Sequence, residues 1–125
     1  MKSSSICLLS NDHLINLIDS PGHLEFYCEV SAALRLTDCA LLVVDVVEGV
    51  SSQTYRVLNQ LYHEKLPSIL VLNKIDKLIM QCKMDPMEAY NQLNQIVEQV
   101  NAILGSFIIK EVGNKLRKRS TSDGP

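Results

Sequence analysis

The chain has 125 residues, of which 46% are hydrophobic and 21% charged, with a formal net charge of −2 and a mean hydropathy of +0.08. These values fit one ordinary globular domain and exclude disordered and collagenous classes, and the longest apolar run, residues 39–44, is far short of the ~18 residues of a membrane-spanning helix. Charge is divided unevenly, with 8 Lys/Arg against 13 Asp/Glu in residues 1–112 and 4 against 1 in residues 113–125, which argues against DNA or RNA binding through the field of the acidic body.

The opening residues carry no cleavage pattern of a secretory leader, so a cytoplasmic location is expected. Cys7, Cys28, Cys39 and Cys82 form no C-x-x-C pair and lie at no zinc-ligand spacing. They read as reduced thiols serving as small core hydrophobes, with Cys28 the one not read as inert.

In chain order, residues 3–9 and 13–18 are strand-like runs joined by Asn11-Asp12, the pattern of an antiparallel hairpin. Residues 24–36 place Phe26, Val30, Ala33 and Leu34 at helical spacing. Residues 40–47 are apolar except for Asp45, as in a parallel strand covered on both faces. Ser51 or Ser52 can cap a helix running to about Lys65, with Tyr55, Leu58, Leu61 and Tyr62 on one stripe, and Leu66-Pro67 ends it. Residues 68–72 form a second buried strand leading into Asn73-Lys74-Ile75-Asp76. Another helix starts near Asp85, with Pro86 at its first position and Glu88 three residues past the cap, and is expected to end near Gly105. Residues 113–125 lack apolar periodicity and read as a basic disordered tail. Strands alternating with helices indicate an α/β domain with a mostly parallel sheet, whose ligands bind at the carboxyl ends of the strands.

Two short motifs stand at such ends. In Asp19-Ser20-Pro21-Gly22-His23, a carboxylate at a strand tip can hold Mg²⁺ through a water, since this ion gives up its hydration shell reluctantly. The Gly22 N–H can approach an anionic phosphate closely beside a helix start, and His23 can orient an attacking water. The plainer alternative is a strand-ending turn with an exposed histidine. In Asn73-Lys74-Ile75-Asp76, an aspartate can accept two hydrogen bonds from the N1–H and N2–H₂ edge of guanine, for which adenine has no equivalent donor pair. Asn73 offers an amide donor and acceptor, and the Lys74 stem can cover the base. Alone this string is a polar strand-to-helix turn; its weight comes from following the first motif in the same frame.

DSPGH followed by NKID resembles the third and fourth nucleotide-binding motifs of translational GTPases, and residues 15–79 resemble the elongation-factor-two branch. NKIDKLI, DPMEAYNQLNQIVEQVNAILG and the opening MKSSSICL are most similar to elongation factor-like GTPases that mature the large ribosomal subunit. The resemblance covers residues 1–112 as a partial GTP-binding domain of the P-loop-NTPase-like α/β class, with helices on both faces of the sheet. It implies GTP or GDP and Mg²⁺ as ligands and GTP hydrolysis as the family activity. It assigns Asp19 to the magnesium site through water, Pro21 to the switch II turn, Gly22 to the γ-phosphate and His23 to the catalytic water. Asn73, Lys74 and Asp76 would take the guanine. A ribosome or a pre-60S particle is the implied partner, with no membrane and no direct DNA contact. Residues 24–28, Leu-Glu-Phe-Tyr-Cys, depart from the family's usual Val-Asp-Phe and two small residues.

No G-x-x-x-x-G-K-S/T phosphate loop occurs, and the five glycines cannot form one. In the family order the phosphate-loop strand lies between the DSPGH strand and the strand at residues 40–47. Without it, the strand ending at Asp19 must pair directly with residues 40–47 or leave its backbone groups unpaired, at a cost in stability and with an exposed edge. The chain alone is then expected to be inactive toward GTP. A contrasting expectation is a non-enzymatic interaction module, whose partner could be the missing part of a G domain on another chain. Residues 115–119 can be a nuclear-localisation or RNA-contact run, or merely a solvated tail.

Overall fold

The computed structural model describes residues 4–20 and 27–122, with elements β1 Ser4–Ser10, β2 His13–Asp19, α1 Tyr27–Arg35, β3 Ala40–Asp45, α2 Ser52–His63, β4 Ser68–Asn73, α3 Ile75–Met80 and α4 Pro86–Ser122. Asn11 and Asp12 both take positive φ, 45° and 63°, the requirement of a two-residue type I′ turn, and set the antiparallel register from Ser4 opposite Asp19 to Ser10 opposite His13. Cys7 donates to Asn16 Oδ1 across this register at 3.0 Å.

β3 and β4 pair in parallel, Ala40 with Ser68 through Asp45 with Asn73. Alternation along β3 sends Leu42 and Val44 inward, followed by Val46 beyond the strand, where they meet Leu58 of α2, Leu78 of α3, and Ile96, Val100 and Phe107 of α4. The rings of Tyr55 and Tyr62 flank Phe107 at centroid distances of 5.3 and 5.6 Å, which fastens α2 to α4. Tyr62 also donates to the Glu111 carboxylate; this bond holds the phenol in its neutral form and pushes its pKa up.

Local chemistry accounts for the helix ends. Ser51 and Thr54 form a reciprocal capping box on α2. At the other end Leu66 N–H bonds to Leu61 O and Lys65 N–H to Tyr62 O, with Lys65 left-handed at φ 54°. Ser51→Ala is expected to lower stability by about 1 kcal/mol, read as a downward shift of the thermal midpoint, with Thr54→Ala less than additive because both act in one box.

Three expectations are corrected. The described residues form not one mostly parallel sheet but two separate two-stranded sheets, one antiparallel and one parallel, and of the two outcomes open to the strand ending at Asp19, β2 takes the second and does not pair with β3. No described strand bridges them, so β2 and β3 keep unpaired edges, and Leu41, Val43 and Ile69 remain exposed on a face that helices were expected to cover. Second, α4 does not stop at Gly105, and residues 113–122 are helical, not disordered. A helical glycine costs only about 1 kcal/mol against alanine, which burial of Phe107 two residues on offsets, and Glu111 pairs with Lys115 at 2.6 Å. Third, Cys7, Cys39 and Cys82 are exposed thiols, because β1 and the turn segments that carry them lie outside the core. The short helix α3 was not expected from the sequence. The accessible surface of 9628 Å² exceeds the roughly 6,700 Å² typical of a compact 14.0 kDa protein.

Candidate functional site

Asn73 ends β4 and Asp76 lies in the first turn of α3, so one strand-to-helix turn presents the whole NKID string. Lys74 sits at the bend with φ 65° and ψ 35°, a left-handed conformation that a side chain with a Cβ adopts infrequently. Its N–H donates to Asn73 Oδ1 at 2.9 Å, which leaves the Asn73 amide group able to donate outward. Asn73, Lys74 and Asp76 are all exposed, and the Asp76 carboxylate accepts no hydrogen bond among the described residues. Two free carboxylate oxygens beside a free amide suit a planar base edge carrying adjacent N–H donors.

A residue outside the motif completes the turn. Asp45 Oδ2 accepts from Lys74 Nζ at 2.8 Å, and Asp45 Oδ1 accepts from the N–H groups of Val47 at 2.9 Å and Glu48 at 3.4 Å. The Lys74 hydrogen bond is the leading cause that holds the Asp45 carboxyl below its ordinary value of 3.8, and Asp45 raises Lys74 above 10.5 in return. The depressed carboxyl favours the folded state above pH 3.8 and loses that contribution as pH falls through its lower folded value; the raised ammonium favours it below 10.5 and loses it as pH rises further. The sequence signal for Asp45 was present, as the one charge interrupting the apolar run at residues 40–47.

Asp19, at the end of β2, lines a cleft of about 750 Å³ together with Ile6 and Leu17 of the hairpin, residues 41–45 of β3, and Glu48. Consecutive residues of a strand point to opposite faces, so lining by residues 17–19 and 41–45 means that the cleft is bordered by the edges of β2 and β3. Asp19 is exposed, Asp45 and Glu48 line the same cleft, and no cluster of three or more side chains able to hold a metal exists among the described residues. That donor set fits a Mg²⁺ held through water and by other ligands, and does not fit an all-protein cage. Pro21, Gly22 and His23 lie outside the described residues. No described helix is long and apolar enough to cross a membrane.

The profile of the elongation factor Tu GTP binding domain matches residues 1–121. Ribosome assembly protein 1 of Saccharomyces cerevisiae is 58% identical over 82% of this chain, and elongation factor-like GTPase 1 of Homo sapiens is 47% identical over 97% of it. Ribosome assembly protein 1 of Schizosaccharomyces pombe is 48% identical over 90%. The chain spans 9%, 11% and 12% of the lengths of these curated relatives, respectively.

Proposed function

The chain belongs to the elongation factor Tu GTP-binding domain family, and from that premise we propose that it forms the guanine-recognition and switch II portion of a GTP-hydrolysing unit that acts in ribosome assembly. The observation that carries this reading is the turn at residues 73–76, with the exposed, unbonded carboxylate of Asp76 beside the Asn73 amide. Asp76 would accept from the guanine edge, Asn73 would bond the base, and the Lys74 stem would cover it. Asp19 would hold Mg²⁺ through a water, with Pro21 shaping the following turn, Gly22 donating to the γ-phosphate and His23 orienting the water for attack. The bound ion supplies neutralisation of charge on the phosphate oxygens.

A phosphate cradle of the form G-x-x-x-x-G-K-S/T is not among these 125 residues. The cleft between the unpaired edges of β2 and β3 supports a reading in which another segment or chain supplies it, by adding a strand there. The name of the ribosome assembly relatives supports a ribosome or its precursor as the larger partner; a pre-60S particle and a cytoplasmic location are what the sequence resemblance implies. A second reading, a non-enzymatic interaction module, is favoured by one specific observation: Leu9 and Leu14 of the hairpin are 78% and 67% exposed.

Calorimetric titration separates these readings. The chain alone is expected to show no GDP binding at micromolar concentration, because most of the charge-assisted phosphate contacts are missing. Fusion of a strand, phosphate loop and helix from a translational GTPase ahead of Met1 is expected to restore micromolar or tighter GDP affinity. A folded fusion that binds neither GDP nor GTP would leave only the interaction module.

A further inference from the structure

Asp45 does more than end a strand. It stands opposite Asn73 in the parallel register, and its carboxylate joins two loops that are 29 residues apart in sequence. Oδ1 closes the local turn onto Val47 and Glu48, and Oδ2 reaches across to the Lys74 ammonium. Lys74 is the N-cap of α3 and has no side-chain capping bond there, so the usual device for fixing a helix start is missing. The Lys74 carbonyl accepts the Lys77 N–H at 3.0 Å as the helix begins, and its other two anchors are the Asn73 side chain at its N–H and Asp45 at its far end. The Asp45 side chain is 16% exposed and that of Lys74 44%, so the acceptor is the sheltered, fixed partner and the lysine the one that is held.

We infer that Asp45 is a positioning residue for the turn at residues 73–76: by gripping the Lys74 ammonium it keeps Lys74 left-handed and thereby sets the Asn73 amide and the Asp76 carboxylate in register for a base edge. The last clause rests on the guanine reading of that turn; the grip itself does not. Asp45 also serves the turn at residues 45–48, and the two roles separate chemically. Asn in its place keeps a side-chain oxygen for the Val47 and Glu48 N–H groups and removes the charge that faces Lys74.

The test is heteronuclear NMR of the chain itself as wild type, Asp45→Asn, Asp45→Ala, Lys74→Met and Lys74→Arg. Asp45→Asn and Lys74→Met are expected to move the Cα and Cβ shifts of residue 74 out of the left-handed range. In Asp45→Asn, the amides of Val47, Glu48 and residues 40–44 should stay in place. Lys74→Arg, which keeps a cation opposite Asp45, should retain the left-handed signature, whereas Asp45→Ala should disturb both turns. A left-handed residue 74 that persists in Asp45→Asn would overturn the inference, as would a loss confined to Asp45→Ala. Saturation transfer from the chain to guanosine at millimolar concentration reads the consequence: Asp45→Asn should weaken it about tenfold if the competent turn is then populated one-tenth of the time. Absence of transfer in the wild type would count against the guanine reading, while the shifts of residue 74 still decide the role of Asp45.

Discussion

In the fusion that carries a phosphate cradle, Asp76→Ala is expected to reduce the preference for GDP over ADP by about two to four orders of magnitude. Two hydrogen bonds to a charged acceptor are lost, each worth about 1.5–3 kcal/mol, and every 1.4 kcal/mol is a tenfold change. The loss should fall on GDP, with ADP affinity nearly unchanged, because adenine has no donor pair for the carboxylate to receive. Folding should be little affected: Asp76 is exposed and accepts no described hydrogen bond, so the change in stability belongs to the ±0.5 kcal/mol class of surface substitutions. Paired calorimetric titrations with GDP and ADP, with a thermal melt as control, measure both effects. Equal losses for the two nucleotides would show that Asp76 supports the turn and does not read the base.

The largest stability effects are expected at Leu58 and Leu78. Their side chains are 1% and 0% exposed at the junction of the β3–β4 sheet with α2, α3 and α4. Truncation to alanine removes transfer free energy and leaves a cavity, together about 2–5 kcal/mol each. That is a large share of the margin for a domain of this size, and the exposed surface already exceeds that of a compact protein of equal mass. Urea unfolding followed by circular dichroism should show the midpoint falling sharply for either variant. Leu9→Ala on the hairpin should change it by no more than about 0.5 kcal/mol, because Leu9 is as exposed as a surface residue. A loss at Leu9 as large as that at Leu78 would mean that the hairpin packs on the core or on a second molecule.

The elements that were legible in the sequence are those whose cause is local. The type I′ hairpin follows from Asn11 and Asp12, which tolerate positive φ, and the start of α2 from Ser51 with Thr54. Pro86 at the first position of α4 and the β3 and β4 strands were likewise visible as patterns within a few residues. The short α3 was hidden because six residues hold too little periodicity to register, although Leu78 makes it part of the core. The continuation of α4 was hidden for the opposite reason: Gly105 and Gly113 are local stop signals, overridden by packing of Phe107 and by the Tyr62–Glu111 contact with a residue 49 positions away.

By itself the sequence determined the chemistry on offer: an aspartate, lysine and asparagine string able to meet a base edge, a DSPGH string with an aspartate at a strand tip, and membership of a GTP-binding family. Local sterics and short-range hydrogen bonds select such turns and caps among neighbours in the chain, which is why reading residues in order recovers them. Tertiary structure alone decided that β2 and β3 stand apart with a cleft between their edges, and that Asp45 reaches Lys74 to hold the NKID turn. Both depend on which distant backbone and side-chain groups find partners. A strand edge is satisfied only by another strand beside it, and a charge by an opposite charge that the fold brings near.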